Sequence, residues 1–273
     1  MRAQRLSALK SSTWIVRNAE ITHGRVAFMR WMPPTPSAAM LVLGSLAVAL
    51  SSQGSPCDVG VIGAALAATS AGVVLATYGR LYSSMSSRRP RPDPLALGIA
   101  LAPYAASMLI RGPRLIPWYV APAATFSMYV AISLRGLGRS PAGLVLGATS
   151  LSLLSLAFSG ILGDPLRLAI PASIAWSAFG ASGALLVESR IPGRGVPRLL
   201  PLASLLAGLL ASSVMLPPVA LAFVEPIYMS CRYGGIPVDV KSLGLFGRRI
   251  AISSALFISM LILMVILARV MRI

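Results

Sequence analysis

The chain is poor in charge, and the charge that it carries is one-sided. Only 11% of its 273 residues are charged, whereas soluble domains contain roughly 25%. Seven Asp and Glu residues stand against 24 Lys and Arg residues. With 56% hydrophobic residues and a mean hydropathy of +0.79, most of the chain is predicted to face lipid or other helices rather than water.

Residues suited to metal or acid–base chemistry are scarce. The sequence has one histidine, His23, and two cysteines, Cys57 and Cys231, and none of them belongs to a cluster with the spacing of metal ligands. No acidic residue lies near the centre of an apolar stretch, where a proton-coupled pump needs one. Phosphate-binding loops, dinucleotide fingerprints and nucleophile elbows are also absent. We therefore expect no metal or other cofactor, and the sequence leans away from an enzyme.

The formal charge of +17 raises the question of nucleic-acid binding. A nucleic-acid-binding domain gathers its Lys and Arg residues on one face or tail. Here the basic residues fall in short clusters between long apolar runs, as they do in the loops of membrane proteins. We expect no nucleic-acid partner.

The apolar runs predict an all-α polytopic transmembrane bundle of about eight spans. A spanning helix needs about 20 mainly apolar residues. The candidate stretches are 37–53, 59–79, 94–110, 115–134, 141–162, 165–187, 199–222 and 249–270. Asp93, Ser140 and Asp164 each precede a proline and are predicted to cap the helix that follows. The short gaps predict one membrane domain over residues 36–273.

The seventh stretch contains Pro217 and Pro218, which leaves a nine-span alternative open. Proline removes a backbone donor and clashes with the preceding helical turn, so the chain has a reason to reverse there. Residues 219–231 would then form a short additional span, although about 13 residues cross a bilayer only when neighbouring protein buries them. We favour eight spans. With eight spans, Cys57 and Cys231 lie on the same side of the membrane, and with nine spans they lie on opposite sides. We expect two free thiols.

The distribution of Lys and Arg predicts a cytoplasmic N-terminus. With eight spans, 17 basic residues fall on the inner side and 7 on the outer side, and with nine spans the numbers become 19 and 5. Residues 1–35 carry six basic residues and one acid, so we expect a basic cytoplasmic arm that lies against anionic lipid head groups. The expected location is the plasma membrane.

Small and hydroxyl residues give two further expectations. Gly60, Ala64, Ala68 and Gly72 recur every four residues and predict a stripe for close packing inside the bundle. Hydroxyl side chains within the spans are expected to bond backbone carbonyls or bridge helices, with the lining of a cavity as the alternative.

Charged groups at helix ends are the candidates for a functional site. They are Tyr78 with Arg80, Glu188 with Arg190, and Glu225 with Arg232. The alternative for each pair is an interface anchor or a loop ion pair, and this is the more frequent role of such residues. No catalytic residue is assigned.

Several short stretches resemble the YwiC-like multi-pass membrane proteins. They are Ala-Leu-Ala-Phe-Val-Glu-Pro at 220–226, Gly-Ile-Pro-Val-Asp-Val-Lys-Ser-Leu-Gly-Leu at 235–245, the apolar-to-basic run 78–89, and Val-Glu-Ser-Arg at 187–190. The chain departs from that family at 39–41, which lacks a His and a Trp, and at 247–249, where arginines replace an acid. The resemblance implies a class of membrane protein rather than a reaction.

Three functions fit these observations. The first is transport or carriage of a small or lipidic molecule. The second is an accessory or assembly subunit of a membrane complex, with a second membrane protein as partner. The third is a UbiA-like intramembrane transferase, although the Asp-rich motifs of those enzymes are missing here. The oligomeric state is left open by the sequence.

Overall fold

The fold, taken from a computed structural model, is described for residues 35–53, 61–87, 90–191, 193–234, 236 and 243–271. Every regular element in these ranges is helical, and no strand occurs among them. The all-α prediction is therefore confirmed. The basic arm lies outside the described residues except for Thr35, and so does Cys57.

Four helices form the first part of the bundle. They are α1 (Pro36–Ser51), α2 (Val61–Met85), α3 (Pro94–Arg111) and α4 (Ile116–Ile132). A 3₁₀ turn, Pro113–Leu115, joins α3 to α4, and α4 continues into a wider turn, Ser133–Leu137. Gly136 has a φ of +77° in that turn, a conformation that suits glycine because it has no Cβ.

The remaining helices follow after Ser140. They are α5 (Pro141–Ser152), α6 (Leu154–Leu162), α7 (Leu166–Ser189), α8 (Leu200–Met215), α9 (Val224–Tyr233) and α10 (Leu243–Val270). The helices α5 and α6 follow each other directly and together form one membrane-length stretch, Pro141–Leu162. A 3₁₀ helix, Pro217–Phe223, leads into α9.

Six helical stretches are long and apolar enough to cross a membrane. They are Val61–Met85, Pro94–Arg111, Pro113–Leu137, Pro141–Leu162, Leu166–Ser189 and Phe246–Val270. Two shorter apolar helices, α1 and α8, have 16 residues each. The chain thus has the build of a multi-pass membrane protein, while the predicted count of eight spans is not confirmed.

Two of the three predicted helix caps are present. The Asp93 carboxylate accepts hydrogen bonds from the backbone N–H groups of Leu95 and Ala96, and the Ser140 hydroxyl accepts one from Gly143. Asp164 does not cap α7, because Pro165 occupies the capping position. The Asp164 side chain is instead buried.

The predicted seventh span over 199–222 is interrupted. The helix α8 ends at Met215, and Leu216 adopts an extended conformation with a φ of −146°. The chain then folds back along α8, since Phe223 packs against Gly208 and Gly234 packs against the backbone of Arg198. The two prolines therefore produce a reversal, as in the nine-span alternative.

The returning segment is longer than the 13 residues considered from sequence. Seven residues in the 3₁₀ helix, at about 2.0 Å each, and ten in α9, at about 1.5 Å each, reach about 29 Å. That length is close to the ~30 Å of a hydrocarbon core. Val219, Ala222 and Phe223 are buried against neighbouring helices, so protein covers much of this segment.

Contacts between helix ends divide the bundle into two ends. At the first, the basic end, Arg80 pairs with Asp93, Arg194 donates to the Arg139 carbonyl, and Arg190 donates to the Ile236 carbonyl. At the opposite end, Arg269 donates to the Gln53 carbonyl, and the Arg111 guanidinium packs against Gly63 and Gly163. The helix α10 therefore runs from the basic end to the opposite end, parallel to α1.

An aromatic cluster holds the middle of the bundle. Trp176 is fully buried and stacks on Phe179 and Phe257. Its indole N–H donates to the Ser45 hydroxyl at 3.0 Å and so ties α7 to α1. Gly44 lies against the indole ring, where a Cβ would come within 2.4 Å of it.

The predicted packing stripe on α2 is not used inside the bundle. Ala68 and Gly72 are exposed, and Gly72 has open space around it, while Gly60 lies outside the described residues. The buried face of α2 is the one that carries Gly63, Ala67 and Ala71. A four-residue repeat identifies a smooth face, but it does not say which neighbour covers that face.

Candidate functional site

A cavity of about 560 Å³ lies among α1–α7. This volume is within the range of about 300–1,000 Å³ that is usual for small-molecule sites. The lining is mostly apolar and comes from seven helices. It contains an aromatic set made of Tyr78, Tyr82, Tyr104, Tyr119, Phe126 and Tyr129.

Exposed lining residues on α3 and α4 indicate that the cavity opens sideways between these helices. These two helices are joined at Gly112 but pack on different neighbours, α3 on α2 and α4 on α5 and α6. Leu101 of α3 lines the cavity and is 51% exposed, and Ala123 of α4 lines it and is exposed as well. In a membrane this opening faces the hydrocarbon of the bilayer.

The cavity is closed toward the opposite end of the bundle. Tyr104 and Tyr119 meet edge to face there, and the Tyr119 hydroxyl forms a hydrogen bond of 2.5 Å with Ser107. Both rings pack against a buried cluster that includes Phe158 and Ile161.

The basic end of the cavity carries Glu188, the last but one residue of α7. Ala184, one turn earlier on the same helix face, and the adjacent Val187 line the cavity with it. Glu188 is 3% exposed, and its Oε2 lies 3.4 Å from Nε of Arg194. Oε2 makes no hydrogen bond within the described part of the chain. Glu188 is also the one charged residue among the described residues of the lining.

Tyr78 and Arg80 were singled out together, and the structure separates them. Tyr78 lines the cavity and stacks on Tyr82, with ring centroids 5.7 Å apart. Arg80 pairs with Asp93 at 2.8 Å, outside the cavity lining. A backbone hydrogen bond from Ala96, assisted by Arg80, lowers the pKa of Asp93 below its usual value. Arg80 thus forms an ion pair at the helix ends, which was the alternative to a role in a functional site.

Glu188 and Arg190 are likewise not partners. Arg190 is 8% exposed, its guanidinium lies 3.8 Å from the ring centroid of Phe246, and its Nε donates to the Ile236 carbonyl at 2.9 Å. Burial lowers the pKa of Arg190. This arginine fixes the end of α7 to the segment between α9 and α10 and does not reach the cavity.

Glu225 and Arg232 form no pair with each other. Glu225 accepts a hydrogen bond of 2.5 Å from Ser253 of α10, and Arg232 donates to the Tyr228 hydroxyl one turn earlier. Neither residue lines the cavity. Of the six candidates, Tyr78 and Glu188 contribute to one site, and the other four hold helices together or lie at the surface.

The hydroxyls within the spans mostly have the expected structural role. Ser152 and Ser177 donate to carbonyls one turn back, and Ser155 donates to Ser173 across two helices. Tyr104 is an exception, because its hydroxyl is buried and has no hydrogen-bond partner among the described residues. This hydroxyl lies at the closed end of the cavity.

Asp164 is a buried acid that was assigned only a capping role from sequence. It is 6% exposed at the opposite end of the bundle, and neither carboxylate oxygen has a hydrogen bond of ordinary geometry in the described ranges. Burial raises the pKa of Asp164 to about 7, and the nearby Ser159 hydroxyl offsets this only in part. The residue lies away from the cavity lining.

The described residues contain no group of three or more His, Cys, Asp and Glu side chains placed to hold a metal ion. Cys231 is exposed and free. No protein-family profile, curated protein or solved structure matches the chain.

Proposed function

We propose that the protein binds and carries a small amphipathic, lipid-soluble molecule, which enters the cavity from the bilayer. The observation that carries this proposal is an apolar cavity of about 560 Å³ whose lining includes exposed residues of two membrane-length helices, α3 and α4. An apolar ligand reaches such an opening by diffusing within the membrane and does not need to cross water.

The proposed placement has nine passes, with the N-terminus and the basic end on the cytoplasmic side of the plasma membrane. The fold-back at Leu216 supports this placement, and so does the distribution of 19 basic residues inside and 5 outside. The basic arm then lies beside anionic head groups of the inner leaflet. The short stretches similar to YwiC-like proteins agree with a multi-pass protein of this kind.

The proposal is tested with a cavity-filling variant and a matched control on the same helix. Ala100 lines the cavity on α3, and Ala102, two residues later, is exposed on the opposite face. The neutral probe N-phenyl-1-naphthylamine is titrated into the protein in lipid nanodiscs, with empty nanodiscs subtracted. We expect saturable binding by the wild type and by Ala102→Phe, and loss of at least about tenfold in affinity for Ala100→Phe.

The proposal fails if the wild type shows no saturable binding above empty nanodiscs, or if Ala100→Phe binds the probe as tightly as Ala102→Phe. Mass spectrometry of the protein purified from its native membrane then identifies the natural ligand, which should be depleted in Ala100→Phe.

A subunit role is the second candidate, favoured by the exposed small-residue face of α2 that includes Ala68 and Gly72. The same purification tests it. A second membrane protein that co-purifies in stoichiometric amount with the wild type, but not with Gly72→Leu, would support this candidate.

A further inference from the structure

We infer that the ligand of this cavity is an organic cation with a large apolar part, such as a lipophilic amine or a quaternary ammonium. The inference deepens the proposed function and rests on it. Its starting point is the charge of the lining. In a chain with 24 basic and 7 acidic residues, the one charged group among the described lining residues is the acid Glu188.

The state of Glu188 makes it available for a ligand. Its side chain is almost wholly buried, and its Oε2 makes no hydrogen bond to any described residue. A buried carboxylate oxygen without such a bond is costly and gains strongly from a cation that reaches it. The ion pair with Arg194, at 3.4 Å, is longer than a hydrogen bond.

Arg194 is itself a weakly held partner. Its side chain is 39% exposed, and its Nη1 donates to the Arg139 carbonyl at 2.9 Å in the loop region. The arginine of this pair is exposed to water and sits on a long, flexible stem, so it leaves the carboxylate more easily than a buried arginine would. Arg194 therefore acts as an internal competitor, which pairs with Glu188 while the cavity holds no cation.

The aromatic side chains near Glu188 favour the same class of ligand. Tyr78, Tyr82, Phe126 and Tyr129 line the cavity, and Tyr78 and Tyr82 lie on the part of α2 that ends at the basic end with Glu188. Ring faces attract ammonium groups, most strongly where water is excluded. Phosphates and carboxylates are usually bound by arginine or lysine. The described lining residues include no basic side chain, so the cavity is unsuited to an anionic ligand.

The arrangement gives the ligand an orientation. Its cationic group lies at the basic end, between Glu188 and the tyrosine rings, and its apolar part extends toward Tyr104 and Tyr119 or out between α3 and α4.

Two probes of matched shape and opposite charge test the inference. Tetraphenylphosphonium and tetraphenylborate are measured by equilibrium dialysis against the full-length protein in nanodiscs, with the partition into empty nanodiscs subtracted. We expect the phosphonium to bind at least about tenfold more tightly than the borate, the effect of one partly desolvated opposite charge. Equal binding, or tighter binding of the borate, overturns the inference.

Two variants separate a ligand-binding role from a structural one. Glu188→Gln should abolish the preference for the phosphonium while the neutral probe N-phenyl-1-naphthylamine still binds. Arg194→Gln should tighten phosphonium binding about threefold or more, because the competitor is gone, and leave the neutral probe unchanged. If the pair is only structural, the two variants change all probes alike, and the inference is wrong.

The neutral probe also distinguishes the two proposals. If it binds while the two charged probes bind equally, cation recognition fails and carriage of an apolar molecule stands. If none of the three probes binds above empty nanodiscs, both proposals fail.

Discussion

Replacing Asp164 by asparagine should change how the stability of the protein depends on pH. In the folded chain this carboxyl group is buried at the opposite end of the bundle, without a well-formed hydrogen bond to the described residues. Burial disfavours the ionised form and raises the pKa of Asp164 from 3.8 to about 7. The folded state therefore holds a proton that the unfolded state has already released between these two pH values.

The sign of the effect follows from this difference in bound protons. Because the folded state binds more protons than the unfolded state between pH 4 and 7, stability falls as pH rises through that window and stays low above it. One pKa unit corresponds to about 1.4 kcal/mol, so the displacement from 3.8 to about 7 makes the folded chain less stable at pH 8 than at pH 4 by about 4 kcal/mol at most. An asparagine of the same shape carries no charge and does not contribute this loss.

The measurement is the melting temperature of wild type and Asp164→Asn from pH 5 to pH 8, followed by intrinsic tryptophan fluorescence. The wild type should lose stability relative to the variant as pH rises, and above pH 7 the variant should be the more stable protein. Asp93→Asn is the control. The lowered pKa of Asp93 keeps it ionised throughout this range, and asparagine can still cap the helix, so loss of the charge and its ion pair should cost the same at every pH. Parallel curves for wild type and Asp164→Asn would refute the reasoning.

Two further predictions concern the basic end of the bundle. Cys231, near the end of α9, and a cysteine introduced by Arg114→Cys are both at exposed positions and are each tested in a single-cysteine protein. A membrane-impermeant maleimide should label these two cysteines from opposite sides of the membrane. Labelling of both from the same side would contradict the nine-pass placement. Arg190→Ala should destabilise the protein by about 1–3 kcal/mol, since it removes the contact with Phe246 and the bond to the Ile236 carbonyl. Arg190→Lys should be less destabilising than Arg190→Ala but less stable than the wild type. Arg135→Ala, at an exposed position, is the control and should have little effect. If Arg190→Ala is as stable as the wild type, this contact does not hold the fold-back in place.

Much of the architecture follows from hydrophobic length and local capping. The long apolar runs became long helices because a backbone in lipid must satisfy its own hydrogen bonds. Asp93 and Ser140 cap their helices, since a short polar side chain before proline has free N–H groups within reach. Asp164 has the same local pattern and a different outcome. There Pro165 takes the capping position and the aspartate turns into the bundle, which local sequence does not specify.

The two members of each candidate pair lie apart in the structure for a geometric reason. Tyr78 and Arg80, like Glu188 and Arg190, are two residues apart and therefore point about 200° away from each other on a helix. One member of each pair faces the cavity and the other faces a loop. Glu225 and Arg232 share a face but stand about 10 Å apart along the axis, so each finds another partner. Sequence proximity at helix ends thus identified two residues of the cavity without identifying their companions.

The placement of the acids also bears on the choice among the three functions. A diphosphate-handling transferase needs several carboxylates to converge at one end of a cavity, but here Asp93 caps α3 and pairs with Arg80, while Asp164 lies at the opposite end of the bundle. Glu225 is bonded to Ser253 outside the lining, so among the described residues Glu188 alone brings a charge to the cavity.

A single carboxylate with a displaceable arginine is suited to reversible binding of one positive charge. Carriage requires a site that binds its ligand weakly enough to release it again. In the proposed carrier, exchange between Arg194 and a ligand cation at Glu188 would balance binding against release, and Arg194→Gln should slow release more than it speeds entry.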